Sequence, residues 1–282
     1  MYYVKNNFNC LSLSKAVELL SIGALPARSL VITFDDGYKD NLTTALPILE
    51  KYELPATCYI TTGLVDRTSE LWWYEQNFII LNSTKLDFKW NGKVFKRSLQ
   101  SLREKHVAIY DFNKLFKRLS LSQQKSFMQV LRAQSSHTYS YNDEILTWSE
   151  VEKLDRHPLI TIGAHTTNHP ALSLLDKDDL LNELCESKER LEVKLGHPIG
   201  HLAYPFGGKS EVGKREFEAA RESGFISAVT TQHGHLYQQH QEHLCALPRI
   251  SINYEDSIES FAWKLSGIYS MFRQQGRRIM VG

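Results

Sequence analysis

The chain has 282 residues, of which 42% are hydrophobic and 23% are charged, as in an ordinary globular protein. Its 33 Lys and Arg residues nearly balance 32 Asp and Glu residues, and a net charge of +1 excludes a strong overall attraction to nucleic acid. No apolar run is long enough to cross a bilayer and the N-terminus does not resemble a secretory leader, so the sequence predicts a soluble, cytoplasmic protein.

The first elements alternate between strand and helix. The apolar, β-branched run at residues 29–34 predicts a buried strand that ends in an Asp-Asp-Gly turn. A helix is predicted over residues 41–52, despite Pro47, and a second strand over residues 56–60. This rhythm indicates a parallel sheet or barrel.

Residues 64–145 differ in composition from the rest of the chain. They contain a tryptophan pair and a short strand-like patch at residues 88–95, followed by helical segments rich in Lys, Arg, Gln and Ser. We predict a mostly helical insertion within one domain that spans residues 1–282. Packing onto the rest of the domain is the default expectation, with a lid or substrate wall as the alternative.

The alternation then resumes, which favours a barrel over a sandwich. Strands are predicted at residues 159–163, 201–204, 225–230 and 247–252. A long amphipathic helix is predicted from Asp176, its cap, to Gly196, which ends it. A last helix is predicted from about Ser257, and the basic stretch at residues 273–278 is interpreted as a solvated helix end.

His165 and His169 directly follow the strand predicted at residues 159–163. Histidines four apart can share one face of a helical turn and bind one metal ion, typically zinc. A catalytic zinc site needs three protein ligands and an open position. Thr166 stands where zinc proteases place a glutamate, so a third ligand and a base must come from elsewhere. Two surface histidines are the alternative interpretation of the spacing alone.

Two adjacent carboxylates, Asp35 and Asp36, end the strand predicted at residues 29–34. Parallel α/β folds place active sites at the carboxyl ends of their strands. Neighbouring side chains diverge, so that one carboxylate can reach a metal and the other its bound water. A turn or a helix cap also suits this sequence, but the histidines at another strand end complete a His-His-Asp set.

A third loop, the sequence Ala-Tyr-Pro-Phe-Gly-Gly at residues 203–208, begins at the end of another predicted strand. Its proline fixes one φ angle, and its glycines let the backbone approach a ligand closely. Such a loop can direct a backbone N–H at a developing oxyanion. By itself the sequence is more typical of a simple turn.

In this order the three motifs resemble those of the polysaccharide deacetylase family (NodB homology, carbohydrate esterase family 4). The family's TFDDG motif matches residues 33–37, its H-S/T-x-x-H motif matches residues 165–169, and its R-x-P-Y/F region matches residues 203–206 without the arginine. The resemblance covers about residues 29–60 and 146–252. It implies a distorted (β/α)7 barrel, a divalent metal, Zn²⁺ foremost, and a glycan substrate that loses N-acetyl groups.

The resemblance also implies roles for particular residues. Asp36, His165 and His169 are expected to hold the metal and Asp35 to act as base. The backbone N–H of Phe206 is expected to donate to the oxyanion.

Two family features are missing from their usual places. The late Leu-x-His motif that supplies the general acid is absent, and His233 and His235 are the candidates because they follow a predicted strand. Ordinary histidines of a loop that also contains His240 and His243 are the alternative interpretation. Arg249 is the candidate for the lost arginine that orients the base, with a surface arginine as an equally good interpretation.

Four residues are predicted to contact substrate: Tyr204, Pro205, Trp72 and Trp73. Aromatic faces can stack on sugar rings, and burial in a core is the alternative for both tryptophans. The departures from the family pattern motivate a second function, in which the same fold and metal act on a small amide or an O-acetyl ester. An inactive glycan-binding component is the third function, against which the intact aspartates and histidines argue.

Overall fold

The computed structural model describes residues 1–267 of the chain. Within them the strands are β1 Asn9–Cys10, β2 Ser29–Leu30, β3 Ile32–Phe34, β4 Ala56–Ile60, β5 Lys85–Trp90, β6 Lys93–Ser98, β7 Ile160–Ala164, β8 His201–Ala203, β9 Ser227–His233 and β10 Leu247–Arg249. The α-helices are α1 Tyr2–Asn7, α2 Leu13–Ser21, α3 Leu46–Tyr52, α4 Thr62–Val65, α5 Trp72–Leu81, α6 Leu102–Phe116, α7 Leu121–Arg132, α8 Trp148–Asp155, α9 Lys177–Leu195, α10 Lys214–Glu222 and α11 Ile258–Leu265.

Six parallel strands form the main sheet, in the spatial order β10-β9-β8-β7-β4-β3. The sheet is curled and open, with six strands in residues 1–267 where seven were predicted. Strand β4 is buried along its whole length, as expected for a strand covered on both faces. Because the strands are parallel, the loops that follow β3, β7 and β8 all emerge on the same side, at the carboxyl ends of the strands.

Two predicted elements are divided in the structure. The strand at residues 29–34 splits at Val31, so that β2 pairs with β1 whereas β3 pairs with β4. The predicted helix at residues 41–52 is a π-helical turn, Asn41–Ala45, followed by α3. Pro47 lies in the first turn of α3, directly after the π-helical turn, whose last hydrogen bond runs from the Leu46 N–H to the Asn41 carbonyl.

The insertion contains α5, the antiparallel hairpin β5–β6, α6 and α7. Its aromatic side chains form a hydrophobic core separate from that of the main sheet, with Phe112, Phe116 and Phe127 at most 2% exposed. The hairpin turns at Asn91-Gly92, whose positive φ angles of 45° and 73° suit a tight two-residue loop. This part of the chain therefore has its own packing, and the assignment of one domain stays a prediction.

Two observations concern the rest of the chain. In residues 1–267 no helix combines the length and apolarity needed to span a membrane. The basic stretch at residues 273–278 lies outside the described residues.

Candidate metal centre and active site

Asp36 lies between the two histidines of the HxxxH motif. Its Oδ1 is 3.3 Å from Nε2 of His165 and 3.3 Å from Nε2 of His169. One ligand atom from each residue lies within 4.8 Å of the other two. Loops that follow β3 and β7 thus bring the three predicted metal ligands together across the edge of the sheet.

These donors fit a divalent cation. Oδ1 of Asp36 is buried and accepts no hydrogen bond from residues 1–267, and such an oxygen needs a positive partner to offset its lost hydration. Nδ1 of His165 lies 2.7 Å from the carbonyl of Ala203, which fixes Nδ1 as the donor and leaves the Nε2 lone pair facing Asp36. A carboxylate with two imidazoles is a ligand set that zinc accepts.

The two imidazoles differ in their electrostatics. Burial lowers the pKa of His169 to about 4, so this ring is neutral, as a metal ligand must be. Burial acts in the same direction on His165, but its contact with Asp36 outweighs burial and raises the pKa of His165. Burial would raise the pKa of Asp36, yet its close contacts with the imidazoles of His165 and His169 outweigh burial and lower that pKa, so the carboxylate stays ionised.

Left-handed backbone marks all three motif loops. Asp36 has φ 73°, Thr166 φ 64°, His169 φ 54° and Phe206 φ 59°. Such angles are unfavourable for a β-branched or aromatic residue, and they persist at functional sites where surrounding contacts hold them. The two histidines meet without sharing a helical turn, because residues 165–170 form an irregular loop.

Glu183, on α9, stabilises the loop at residues 165–170 that carries the two histidines, here called the histidine loop. Its carboxylate accepts from the backbone N–H groups of Thr167 at 2.9 Å and Asn168 at 2.8 Å, and from Nδ2 of Asn168 at 2.7 Å. From the other side, Gly63 N–H donates to the Thr167 carbonyl at 2.9 Å. Sequence reasoning missed Glu183, although an acidic residue on the buried face of an amphipathic helix was a usable signal.

Asp35 forms a bidentate ion pair with Arg249. The guanidinium donates to both carboxylate oxygens, Nη1 to Oδ1 at 2.7 Å and Nη2 to Oδ2 at 2.7 Å. Arg249 is itself held by its Nε, which donates to the carbonyl of Thr230 at 2.9 Å. Burial would raise the pKa of Asp35, but Arg249 outweighs it and holds that pKa at about 2.

The Phe206 loop contributes a backbone donor beside the histidines. The N–H of Phe206 donates no hydrogen bond to any of residues 1–267, and its ring centroid is 4.8 Å from that of His169. A Cβ atom on Gly207 would lie 2.7 Å from the nitrogen of Thr231, so only glycine permits this turn to pack against β9. The geometry leaves the Phe206 N–H available to a ligand.

The two tryptophans have different positions. Trp73 lies 4.9 Å from the ring of His169, and its Nε1 donates to the hydroxyl of Tyr38 at 2.6 Å, so it forms a wall of the site. Trp72 is only 6% exposed and stacks on Phe116 at 4.3 Å inside the insertion core. The prediction that Trp72 contacts substrate was therefore wrong.

Two predicted substrate contacts in the third loop are also corrected. Tyr204 is 0% exposed, and its hydroxyl donates to the carbonyl of Cys245 at 2.7 Å. Pro205 is buried as well. Tyr204 belongs to the main core, and neither side chain is exposed for contact with a substrate.

The two candidate acids lie near the end of β9. His233 is the last residue of that strand and is paired in register with Arg249. Nε2 of His235 lies 3.4 Å from the carbonyl of Leu265, at the end of α11. Their assignment as acids stays a prediction.

A parallel α/β sheet with carboxylates and histidines at the carboxyl ends of its strands is typical of metal-dependent hydrolases. The comparison with known families shows which family of hydrolases this chain resembles. The model of the polysaccharide deacetylase family matches residues 23–225. The chain therefore belongs to the polysaccharide deacetylase family, whose members are hydrolases of N-acetyl amide bonds and generally use a divalent metal.

Individual relatives are distant. The polysaccharide deacetylase-like protein YxkH of Bacillus subtilis (strain 168) is 22% identical over 230 residues, which are 81% of this chain and 54% of YxkH. The chain thus spans about half the length of this curated relative. The Streptococcus pyogenes deacetylase PplD, solved with acetate, has a TM-score of 0.61 at 20% identity over 93% of this chain and 81% of PplD.

A second solved structure gives the same result. The de-N-acetylase of Aggregatibacter actinomycetemcomitans has a TM-score of 0.56 at 15% identity, over 92% of this chain and 84% of that protein. At these identities the solved structures show the fold alone. They confirm the predicted barrel class of the deacetylases.

Proposed function

We propose that the protein is a metal-dependent hydrolase that removes N-acetyl groups from an amino-sugar glycan. One observation carries the proposal: the adjacent carboxylates diverge, so that Asp36 faces His165 and His169 while Asp35 faces Arg249. This separates a ligand from a base within two consecutive residues. Family membership supports the amide bond as the target.

Asp36, His165 and His169 would hold the metal, for which we propose Zn²⁺. Bound there, the cation would supply Lewis-acid activation of a water molecule and of the amide carbonyl. The hydrogen bond from His165 to the Ala203 carbonyl keeps the imidazole in the tautomer that binds through Nε2.

Asp35 is the proposed general base. A pKa of about 2 keeps it ionised at neutral pH, so it is ready to accept a proton from the attacking water. The same low value makes it a weak base, and both its oxygens are bound by Arg249. Arg249 thus lowers the basicity of Asp35 while it fixes the orientation of the carboxylate.

Phe206 is the proposed oxyanion donor. Its N–H donates no hydrogen bond to residues 1–267, and the loop is held against β9 by the hydrogen bond from the Thr231 N–H to the Gly207 carbonyl at 3.0 Å, so the donor is in place before the reaction. Loss of one such donor typically slows the reaction by about 10²–10³-fold. The departing amine also needs a proton, which we assign to the His233 and His235 region.

The test is release of acetate from N-acetylglucosamine oligomers by the purified chain. We expect release that stops with a chelator and returns with Zn²⁺, one metal per chain, and loss of both metal and activity in His165→Ala. His201→Ala is a matched control, because His201 is also buried but lies outside the metal set.

Three results would contradict the proposal in different ways. Full activity after Asp35→Asn would exclude Asp35 as base. Turnover of acetyl esters or small amides but not of glycan would favour the second function. Glycan binding with no acetate release from a metal-loaded protein would favour the inactive component.

A further inference from the structure

The charge of the chain is divided unevenly. Residues 85–125 contain eleven Lys and Arg residues but only three Asp and Glu residues, a net charge of +8. The rest of the chain therefore carries a net charge of −7. The near-zero total conceals a strongly basic hairpin and helix inside the insertion.

The three acidic residues of this segment are already engaged. Asp87 is 3.4 Å from Nζ of Lys96, and Asp111 is 3.5 Å from Arg97. Glu104 caps the start of α6 by accepting from the backbone N–H of Ser101 at 2.8 Å. None of them is left to neutralise the cations at the far end of α6.

One of those cations reaches the catalytic edge. Nζ of Lys117 lies 5.1 Å from the ring centroid of Phe206, the proposed oxyanion donor, whose ring contacts His169. Lys114 and Arg118 lie on the same end of α6, because Lys117 continues the helical backbone with φ −58° and ψ −13°. We call these three residues the α6 basic cluster.

The α6 basic cluster is exposed, and none of its members forms an ion pair with any of residues 1–267. Cations at a helix C-terminus are stabilised by the helix dipole. That effect suits one or two residues, and it does not account for the position of Lys117 against Phe206, beside the proposed metal ligand His169. A positive rim at a cleft raises the local concentration of anionic ligands.

We propose that the substrate is an acidic glycan, and that the α6 basic cluster binds a carboxylate or phosphate group next to the acetylated amino sugar. This inference rests on the proposed function, since it names the substrate class of the same site. Lys117 would position the glycan, because its contact with Phe206 places an anion bound to Lys117 beside the proposed oxyanion donor. Arg118 and Lys114 would add charge at the spacing of one helical turn.

The test compares three oligosaccharides of equal length with the full-length enzyme. One is a neutral N-acetylglucosamine oligomer, one alternates N-acetylglucosamine with glucuronate, and one is the neutral oligomer with a single 6-phosphate. We expect kcat/KM to favour an acidic oligomer about tenfold or more at low salt, and the preference to shrink between about 20 and 200 mM NaCl. Whether glucuronate or phosphate is preferred distinguishes the two anions.

The variant Lys114→Gln/Arg118→Gln should lower the acidic-over-neutral ratio of kcat/KM by about two- to tenfold, mainly through KM, as expected for two exposed ion pairs. The control Lys51→Gln/Lys153→Gln removes the same charge from exposed positions on α3 and α8 and should keep the ratio. Binding of the acidic oligomer to Asp35→Asn gives a readout that does not depend on turnover.

An equal preference for neutral and acidic oligomers, unaffected by salt, would overturn the inference while leaving the proposed function in place. Failure to release acetate from any oligomer would instead contradict the proposed function, and binding to Asp35→Asn would still decide the acidic preference. Cluster-dependent binding to vesicles of phosphatidylglycerol, without any preference among oligosaccharides, would assign the cluster to a membrane surface and overturn the proposal.

Discussion

Arg249 binds both carboxylate oxygens of Asp35 at 2.7 Å, although the two residues are 214 positions apart in the chain. Its guanidinium comes from the end of β10, on the opposite edge of the main sheet from β3. Curling of the sheet brings these two outer strands close enough for Arg249 to reach Asp35. This contact supports the prediction that Arg249, from another strand, replaces the arginine missing from the Tyr-Pro-Phe loop.

Arg249→Lys should lower kcat about tenfold or more with little change in metal content, because lysine keeps the charge but cannot bind both oxygens. Steady-state kinetics and metal analysis check this. Asp35→Asn/Arg249→Met should be no slower than Asp35→Asn alone, since the two residues act as a unit. Additive losses would show that Arg249 acts on something other than Asp35.

Glu183→Gln should weaken metal binding about 10–100-fold, the usual effect of losing a partner of the metal-binding loop. The substitution weakens acceptance from the backbone N–H groups of Thr167 and Asn168, and the histidine loop then loses its left-handed geometry. Competition with a chromophoric chelator measures the affinity. Glu186→Gln, at an exposed position of the same helix, is the control and should bind metal normally.

Trp72 and Trp73 are adjacent but should respond differently to substitution. Trp72→Ala removes a stacked core ring and should lower the free energy of unfolding by about 3–5 kcal/mol. Trp73→Ala removes a side chain that contacts His169 and should raise KM. It should lower the free energy of unfolding less than Trp72→Ala does. Denaturant unfolding with kinetics on both variants separates these effects, and a reversed pattern would contradict the assignments of wall and core.

His201 gives a prediction about pH. Burial lowers its pKa from 6.5 to about 4, so the folded protein keeps the ring neutral while the unfolded chain binds a proton below pH 6.5. Stability from this residue is therefore complete above pH 6.5 and is lost as the pH falls towards 4, by up to about 1.4 kcal/mol per pH unit.

His201→Gln should be less stable at neutral pH, because it breaks the 2.9 Å contacts of the ring with Ser14 and Ser227. Its free energy of unfolding should then fall less steeply between pH 6.5 and 4 than that of the parent chain. Denaturant titrations at several pH values measure both slopes. Equal slopes would mean that His201 has the same pKa in the folded and unfolded chains, so that burial does not lower it.

Local signals were sufficient for several elements. Asp176 caps α9 and Gly196, with φ 77°, ends it, as predicted, because caps depend on neighbouring residues. The strand ends that carry the aspartates and the histidines were also recognisable as apolar runs followed by turns. The Asn-Gly hairpin of the insertion carried a clear local signal that the prediction did not use.

The residue types at the strand ends were likewise sufficient to predict the chemistry of the site. Two carboxylates and two imidazoles are groups that can bind a metal ion, whatever their distance along the chain. The curvature and register of the sheet decided which further side chains contact the residues of the site. The sequence could not separate Arg249 from a surface arginine, or the wall residue Trp73 from the core residue Trp72, because adjacent side chains look alike until packing sends one inward and the other to the site. Contacts between distant residues are set by tertiary packing, and no local pattern records them.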